Sequence, residues 1–474
     1  MDADRRQPIE EIERLRSENA DLKASVERLT TQNEQLTKQV DKLTAALEEA
    51  RQAGKRQAAP FRKKTKSQKP KKPGRKPGDQ YGQQARRAVP TPDQITEHYE
   101  VPLPEACTCC ECIDIEPGEP VVQYQVEIPQ APIYRQFTIE TGRCKKCGKM
   151  VRGRHELQTS DATGAAGVQL GPRAHAAFAW LNKRLGLSHG KIQQAFSELF
   201  GISISRSTPA RSCHRTARRC AAAHEQVRQD VRGSPQVVPD ETGWRVGGAK
   251  AWLHEFAGLD EVAYVLDPTR SGKPAVELLG KDWCGQLVHD GWSPYDGFSE
   301  AIHQQCNAHL INRCNEMLET ATRGAAQFPA AVKDLLQRGL ALRDRYVSGD
   351  ATEHGLLVTA GRFTNELLGL VGIRKTNADN ERLAKFLFQH HESIFNYLRH
   401  PGMDATNWRG EQAIRFGVVN RKVWGGNRTW FGAATQATLM SVMQTCLMRD
   451  FSPVQFLANT LTSPTPLLLP AVGR

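Results

Sequence analysis

Residues 9–50 carry the most regular pattern of apolar and polar positions in the chain. Leu15, Leu22, Leu29, Leu36 and Leu43 recur every seven residues. Ile12, Asn19, Val26, Asn33 and Val40 lie three positions before each, and Leu47 continues the row. Leu at d with β-branched residues or Asn at a predicts a parallel two-stranded coiled coil. Asn19 and Asn33 cost stability there but fix register and strand number. Glu18 at g and Lys23 at the following e can pair between chains, a contact worth little alone. The segment is therefore expected to make a homodimer or a higher oligomer.

Further along, the period changes. Residues 93–158 alternate as strands do over Val122–Ile128 and Ile133–Ile139 and predict a small β module. Residues 160–232 read as helical: Ala174–Leu185 is apolar, and Ser188–Gly201 is amphipathic with a Ser cap and a stopping Gly. A second helix starts near Ser203–Thr208 and runs through Arg206, Arg211, His214, Arg215, Arg218 and Arg219. This spacing suits a helix-turn-helix reader of DNA and equally a plain helical connector. From 233 to 449 the pattern is α/β. Strands are predicted at Gln236–Val238, Trp252–Phe256, Val262–Leu266 and Gln286–His289, with a helix over Lys273–Leu279. Three strands, a helix and a fourth strand follow the order of an RNase H-like core, in which the first and fourth strands are neighbours. A helical insertion occupies about 308–400, an apolar helix closes the core at 431–449, and 450–474 is a C-terminal tail. The fold class expected is multidomain α+β.

Composition and charge sharpen this. The 474 residues suffice for roughly three domains. At 39% hydrophobic and 24% charged the chain is near soluble globular values. No apolar run approaches the ~18 residues of a membrane span. No basic-then-apolar leader is visible, so a cytoplasmic, nucleoid-associated protein without a membrane partner is expected. The net charge of +12 equals the twelve Lys and Arg between Arg51 and Gly78, a stretch without acidic residues. Prolines 70, 73 and 77 and glycines 74 and 78 forbid regular structure there, making 51–92 a basic linker. Arg62, Lys63, Lys64, Lys71, Lys72, Arg75 and Lys76 are its candidate phosphate contacts, rewarded by counterion release. Gly74–Gly78 could lie along a minor groove. The plainer reading is a solvated charge run.

Twelve cysteines without a secretory leader argue for thiols and metal ligands. Cys107-x2-Cys110 and Cys144-x2-Cys147 supply the four soft ligands of a structural Zn2+ site, with a β-ribbon spanning the gap between them. Cys109 and Cys112 compete for the first knuckle.

The candidate chemistry lies in two short apolar runs that each stop on a carboxylate: Val237-Val238-Pro239-Asp240 and Leu287-Val288-His289-Asp290. Side by side, Asp240 and Asp290 would repel unless divalent cations lay between them, and hard oxygen ligands suit Mg2+ or Mn2+. Glu411 is the preferred third carboxylate, sharing a helix face with Asn407 and Arg415 at i, i+4, i+8 spacing. An ordinary Glu411–Arg415 salt bridge is its bland reading, and Glu381 is its competitor. Cys306-x2-His309 offers two ligands only and is read as structural support near the site. Arg421, Lys422 and Arg428 lie in a basic, Gly-flexed segment suited to phosphates, while Trp424 and Trp430 are read as core.

Asp240-Glu-Thr-Gly-Trp244, His289-Asp-Gly-Trp-Ser-Pro-Tyr-Asp296, Cys306-x2-His309 and Asn407-Trp-Arg-Gly-Glu411-Gln-Ala-Ile-Arg415 together resemble the insertion-sequence 66 family of transposases. That family comprises bacterial DDE recombinases with an RNase H-like core, and the resemblance covers nearly the whole chain. It implies that Asp240 and Asp290 are the catalytic aspartates and Glu411 the catalytic glutamate. The family often has two adjacent Asn and Ala-Glu-Arg where this chain has Asn407-Trp408 and Gly410-Glu411-Gln412. It further implies metal-dependent DNA strand cleavage, transfer of the 3′-hydroxyl to target DNA, and small accessory transposition proteins as partners. From another class, a non-catalytic DNA-binding regulator would need only the zipper, basic arm and zinc module. An inactive transposase remnant would look the same.

Overall fold

In the computed structural model the residues described are 18, 20–37, 39, 89–98, 113, 122–125, 132–158, 162 and 169–471. By its contacts the chain divides into two units, one of Met1–Phe61, Phe137–Gln193 and Ser205–Arg474, the other of Arg62–Gln136 and Gln194–Ile204. Residues 20–37 are one uninterrupted helix with Leu22, Val26, Leu29 and Leu36 all exposed along it. The rest of the heptad, the basic linker cations Arg62 to Lys76, and Cys107, Cys109, Cys110 and Cys112 lie outside the described residues.

A short antiparallel hairpin, β1 Thr141–Arg143 and β2 Met150–Arg152, pairs Arg143 with Met150. The strands expected over Val122–Ile128 and Ile133–Ile139 do not form where those residues are described; 122–125 and 133–139 are irregular. Val122 and Ile133 are about three-quarters exposed (76% and 75%), so the alternation there has no buried face to specify a strand.

The helical stretch comprises α1 Pro172–Ala179, a π turn Trp180–Arg184, α2 His189–Phe200, α3 Ser207–Arg219 and α4 Ala221–Gly233. Gly201 ends α2 at φ +63, a conformation open to glycine. In α3, Ser212, Cys213, Thr216 and Ala217 are buried, whereas Arg211, Arg215 and Arg218 are exposed.

The sheet is built from β3 Gln236–Val246, β4 Ala249–Ala257, β5 Val262–Asp267, β6 Gln286–His289 and β7 Ile302–Gln305, with α5 Lys273–Leu279 before β6. Their order is β5-β4-β3-β6-β7. The first three pair antiparallel as a meander, whereas β6 joins β3 and β7 joins β6 in parallel. All four strands and the helix expected between residues 236 and 289 are present. β7, whose Gln304 and Gln305 are buried, is not predicted by the pattern, because its Ile-His-Gln-Gln sequence has no apolar alternation.

The helical insertion contains α6 Asn307–Thr320, α7 Gln327–Val347, α8 Glu353–Gly372, α9 Ala378–Gln389 and α10 Asn396–Arg399. It forms its own core around Leu335, Leu336, Leu383 and Phe395, joined to the sheet at Val238 and Val288. After it, α11 Trp408–Trp424 lies on β3 and β4, packing Ala413 and Ile414 against Leu253 and Tyr264. The opposite sheet face meets α4, α5 and α12 Trp430–Met448 around Val237, Phe256, Leu287 and Leu439. The expected tail carries α13 Pro453–Thr462, which buries Phe456, Leu457 and Leu461 and packs on α1. No helix among the described residues is long and apolar enough to cross a membrane.

Candidate active site

Alternation along β3 sorts its side chains by face. Val238 and Asp240 point to the α11 side, Val237 and Glu241 to the other. Asp240 sits in the strand with Oδ1 accepting the Glu241 N–H at 2.8 Å. Asp290 follows the last residue of β6, exposed, with Oδ1 accepting the Trp292 N–H at 3.0 Å in a tight Asx turn. Gly291 completes that turn at φ +87, and a Cβ there would lie 2.8 Å from the Phe386 ring, so only glycine fits.

A chain of imidazoles holds this turn from beneath. His303 Nε2 donates to the Phe298 carbonyl at 2.8 Å, which leaves its Nδ1 to accept from His289 Nε2 at 3.1 Å. His289 Nδ1 is then free to accept the Gly291 N–H at 3.2 Å. The arrangement requires a neutral His289, and burial above all pushes that imidazole down to about 3.

Glu411 stands in the first turn of α11. The helix reaches it by an unusually close approach to the sheet at Gly410. A Cβ at 410 would lie 3.2 Å from both Glu255 Oε2 and the Val238 carbonyl and 3.3 Å from Asp240 Cβ. The start of α11 is also tied to the start of α6. Cys306 Sγ donates to Asn407 Oδ1 (3.1 Å), the Asn407 N–H donates back to Cys306 Sγ (3.3 Å), and the Asn307 N–H donates to the Ala405 carbonyl (3.0 Å). One turn into α6, His309 Nε2 lies 3.8 Å from Glu411 Oε1. A hydrogen bond to Cys306 and the negative charges of Asp290 and Glu411 push His309 up to about 9, against the opposing effect of burial.

Strand β3, the β6 turn and α11 thus bring Asp240, Asp290 and Glu411 into one electrostatic neighbourhood. Burial first, then the charges of Glu241, Asp290 and Glu411, raise Asp240 to about 7. Directly across the β3–β4 ladder from Asp240 lies Glu255, fully buried, with both carboxylate oxygens lacking a hydrogen-bond partner. Burial, then the Asp240 charge, hold its acid well above the usual range. Among the described residues, no three His, Cys, Asp or Glu side chains are gathered into a ready-made metal cage. Still, a like-charged, oxygen-only set with orphaned buried oxygens beside it is the donor chemistry of a hard divalent cation. Mg2+ in particular is commonly held by one or two carboxylates plus substrate phosphate and water. Glu381 is engaged elsewhere, its carboxylate meeting the Lys375 N–H at 3.4 Å and Lys385 Nζ at 3.6 Å.

Other expected residues are more dispersed. Arg206, Lys422 and Arg428 are exposed. Arg421, read as a phosphate contact, is half-buried and donates to Thr242 Oγ1 at 3.0 Å and to the Gly243 carbonyl, bracing β3 instead. Trp424 packs edge-on against Trp244 at 5.8 Å, as a core residue should, but Trp430 is exposed rather than core. Cys144 and Cys147 occupy the β1–β2 turn, where the Cys147 and Lys146 N–H groups point at the Cys144 sulfur and lower its thiol. Sequence reasoning missed Glu241, Arg270, Tyr295, Glu255 and Gly410. The adjoining motifs Asp-Glu-Thr and Asp-Gly-Trp-Ser-Pro-Tyr held the only signal for the first and third of these.

Among curated proteins, the chain is 24% identical over 307 residues to uncharacterized protein y4qI of Sinorhizobium fredii (strain NBRC 101917 / NGR234), covering 57% of this chain and 55% of that one. The chain thus spans about half the length of that relative. The family model described as "Transposase IS66 family" matches residues 167–435, a stretch that runs from the helices before β3 through the sheet and insertion to α12. With more than half its length matched and the carboxylate-bearing elements all inside the match, the chain belongs to the IS66 family of transposases.

Proposed function

We propose that this chain is a DNA transposase that cleaves the ends of an insertion sequence and joins the 3′-hydroxyl to target DNA, using Asp240, Asp290 and Glu411. The observation that supports the reading is that Asp240 on β3 feels the negative charges of Asp290, just after β6, and of Glu411, in the first turn of α11. The strand order, an antiparallel meander extended by two parallel strands from its first member, supports an RNase H-like core. These side chains would hold Mg2+ or Mn2+, which supplies activation of the attacking oxygen and neutralisation of the leaving one. The chain's own contribution is placement. The His289–His303 relay fixes the Asp290 turn, the Gly410 notch brings the start of α11 close to Asp240, and the Cys306–Asn407 pair holds the helix start.

The surrounding chain supplies DNA and partner contacts. The Arg211, Arg215 and Arg218 face of α3, with Arg206, Lys422, Arg428 and the linker cations, supports backbone binding of element ends. The N–H groups turned toward the Cys144 sulfur support a metal-binding knuckle of Cys144 with Cys147. The exposed Leu22, Val26, Leu29 and Leu36 row supports pairing of two chains through the zipper. Small accessory transposition proteins complete the expected partners.

The test is Mg2+-dependent cleavage of a duplex carrying the element's terminal repeats. Asp240→Ala, Asp290→Ala and Glu411→Ala are each expected to abolish cleavage while DNA binding persists. Cleavage that survives Asp240→Ala overturns the proposal.

A further inference from the structure

The β3–β6 ladder pairs Gln236 with Gln286 and Val237 with Leu287, and there it stops. Continued at the same offset it would place Asp240 opposite Asp290, about 10 Å beyond the last backbone pair at ~3.3 Å per residue. β6 itself ends at His289, and its remaining pairs run to β7. The two aspartates therefore stand past the end of the hydrogen bonds that join their strands. Something else must set their separation.

The other face of β3 provides it. Arg270, in the loop between β5 and α5, donates to Glu241 Oε1 from Nε at 3.0 Å and from Nη2 at 2.5 Å. Tyr295, in the turn after Asp290, donates its hydroxyl to Glu241 Oε2 at 3.1 Å. The Glu241 side chain is only 3% exposed, so its charge depends on these two partners. Arg270 is itself gripped, with the Trp252 ring of β4 and the Trp292 ring of the Asp290 turn at 5.0 to 5.2 Å from its guanidinium. Trp292 in turn meets Tyr295 edge-on at 5.1 Å. One carboxylate adjacent to Asp240 is thus bonded to the segment that carries Asp290, and a stacked cation locks it.

We infer that Glu241, Arg270 and Tyr295 form a bracket that sets the distance between Asp240 and Asp290 where the sheet no longer does. The inference rests on the proposed metal-dependent site. Glu241 faces away from Asp240's side of the strand, so these are positioning residues that act through the two aspartates. The bracket also accounts for two motifs at once: Glu241 follows Asp240 because it must reach Tyr295, and Trp292 and Tyr295 follow Asp290 because they must reach Arg270 and Glu241.

The test titrates the full-length protein with Mn2+ alone, reading bound ion by electron paramagnetic resonance, alongside the Mg2+ dependence of cleavage. Glu241→Gln and Arg270→Lys are expected to raise the half-saturating metal concentration ~10-fold, the usual scale for groups that orient metal ligands. Excess Mg2+ is expected to restore most of the rate. Tyr295→Phe removes one hydroxyl, is expected to fold normally, and shifts metal dependence in the same direction by less. A role in folding alone would lower the melting temperature and leave the metal midpoint in place. Wild-type metal midpoints in Arg270→Lys and Tyr295→Phe overturn the bracket even where Asp240→Ala abolishes binding and cleavage. Unchanged Mn2+ binding and cleavage in Asp240→Ala overturn the site beneath it instead.

Discussion

Cys306 and Asn407 hold each other by two hydrogen bonds, thiol to amide oxygen at 3.1 Å and backbone N–H to sulfur at 3.3 Å, both residues being buried. Residues 101 positions apart thereby fix the start of the Glu411 helix against the start of the helix carrying His309. Asn407→Ala leaves a buried thiol donor without its acceptor, at a cost of about 1–3 kcal/mol. Urea unfolding of Asn407→Ala should show that loss, and cleavage should fall further than stability alone explains. Equal stability of wild type and Asn407→Ala would show that the pair holds nothing.

At Gly410 a methyl group would meet a backbone carbonyl and two side chains at 3.2 to 3.3 Å. Alanine gains about 1 kcal/mol of helix propensity over glycine. Overpacking against parts that cannot yield costs about 1–3 kcal/mol, and the Val238 carbonyl belongs to a strand paired on its β4 side. Gly410→Ala is therefore expected to be destabilising, and to lower cleavage by pushing the start of α11 away from β3. A thermal melt and a cleavage assay check both; a more stable and fully active Gly410→Ala contradicts the close-approach argument.

Much of the carboxylate frame was legible because short buried apolar runs that lead into a carboxylate advertise themselves, although β3 continues through Asp240 to Val246 while only β6 stops just before its aspartate. Val237-Val238-Pro239-Asp240 and Leu287-Val288-His289-Asp290 carry both the burial pattern and the chemistry in one short run. Glu411 was legible only as one of two downstream candidates; Glu381, the other, faces Lys375 and Lys385. The supporting residues were not legible. Arg270 stands 29 residues from Glu241 in a Pro-Thr-Arg-Ser-Gly turn that reads as loop, and nothing local says which acid it meets. Gly410 reads from sequence as a helix weakened by glycine, whereas its reason is a contact made across the tertiary fold. Arg421 reads as a phosphate contact because a chain of letters does not show Thr242 and the Gly243 carbonyl that it also meets.

Asp240 imposes a pH dependence on the metal-free protein. Its folded value of about 7, against 3.8 in an ordinary carboxyl, means the folded state binds this proton more tightly than the unfolded chain. The associated stability is fully present below about 3.8 and is lost as pH rises through about 7. A shift of that size corresponds to on the order of 4 kcal/mol. Metal-free Asp240→Asn should therefore be more stable than wild type at pH 8 and equal to it near pH 4, by chemical denaturation. Adding Mg2+ at pH 8 should raise wild type and not the variant. A wild-type protein whose metal-free stability is flat between pH 4 and 8 contradicts this.

Glu255 is a sharper case of the same physics. It is fully buried, lacks a hydrogen-bond partner, and has its acid pushed well above the usual range by burial and then by the Asp240 charge. Glu255→Gln keeps the shape and removes the ionisation, so folding at pH 7 should be little changed. Glu255→Ala opens a cavity under Gly410 and should cost a few kcal/mol, as core truncations do. If Glu255→Gln instead unfolds the protein, the residue is charged in the folded state and some cation satisfies it there.

The exposed Arg211, Arg215 and Arg218 on α3 lie at i, i+4 and i+7, one stripe of a helix whose other side is buried against α1 and α12. Arg219, by contrast, is committed to the Thr460 and Ser463 carbonyls and contributes no free charge to that stripe. Three exposed guanidinium groups on one rigid helix are suited to DNA phosphates, and the binding of such a face is measurable through salt. Removing one phosphate-binding cation should flatten the slope of log affinity against log salt by about 0.9. The triple change of Arg211, Arg215 and Arg218 to Gln is thus expected to weaken duplex binding and reduce the slope by about 3, leaving the melting temperature unchanged because the buried side of α3 is intact. Arg219→Gln should do the reverse, lowering the melting temperature with the salt slope preserved. A triple variant with wild-type salt dependence would assign DNA binding to other cations, Lys422 and Arg428 first among those exposed at and after the end of the Glu411 helix.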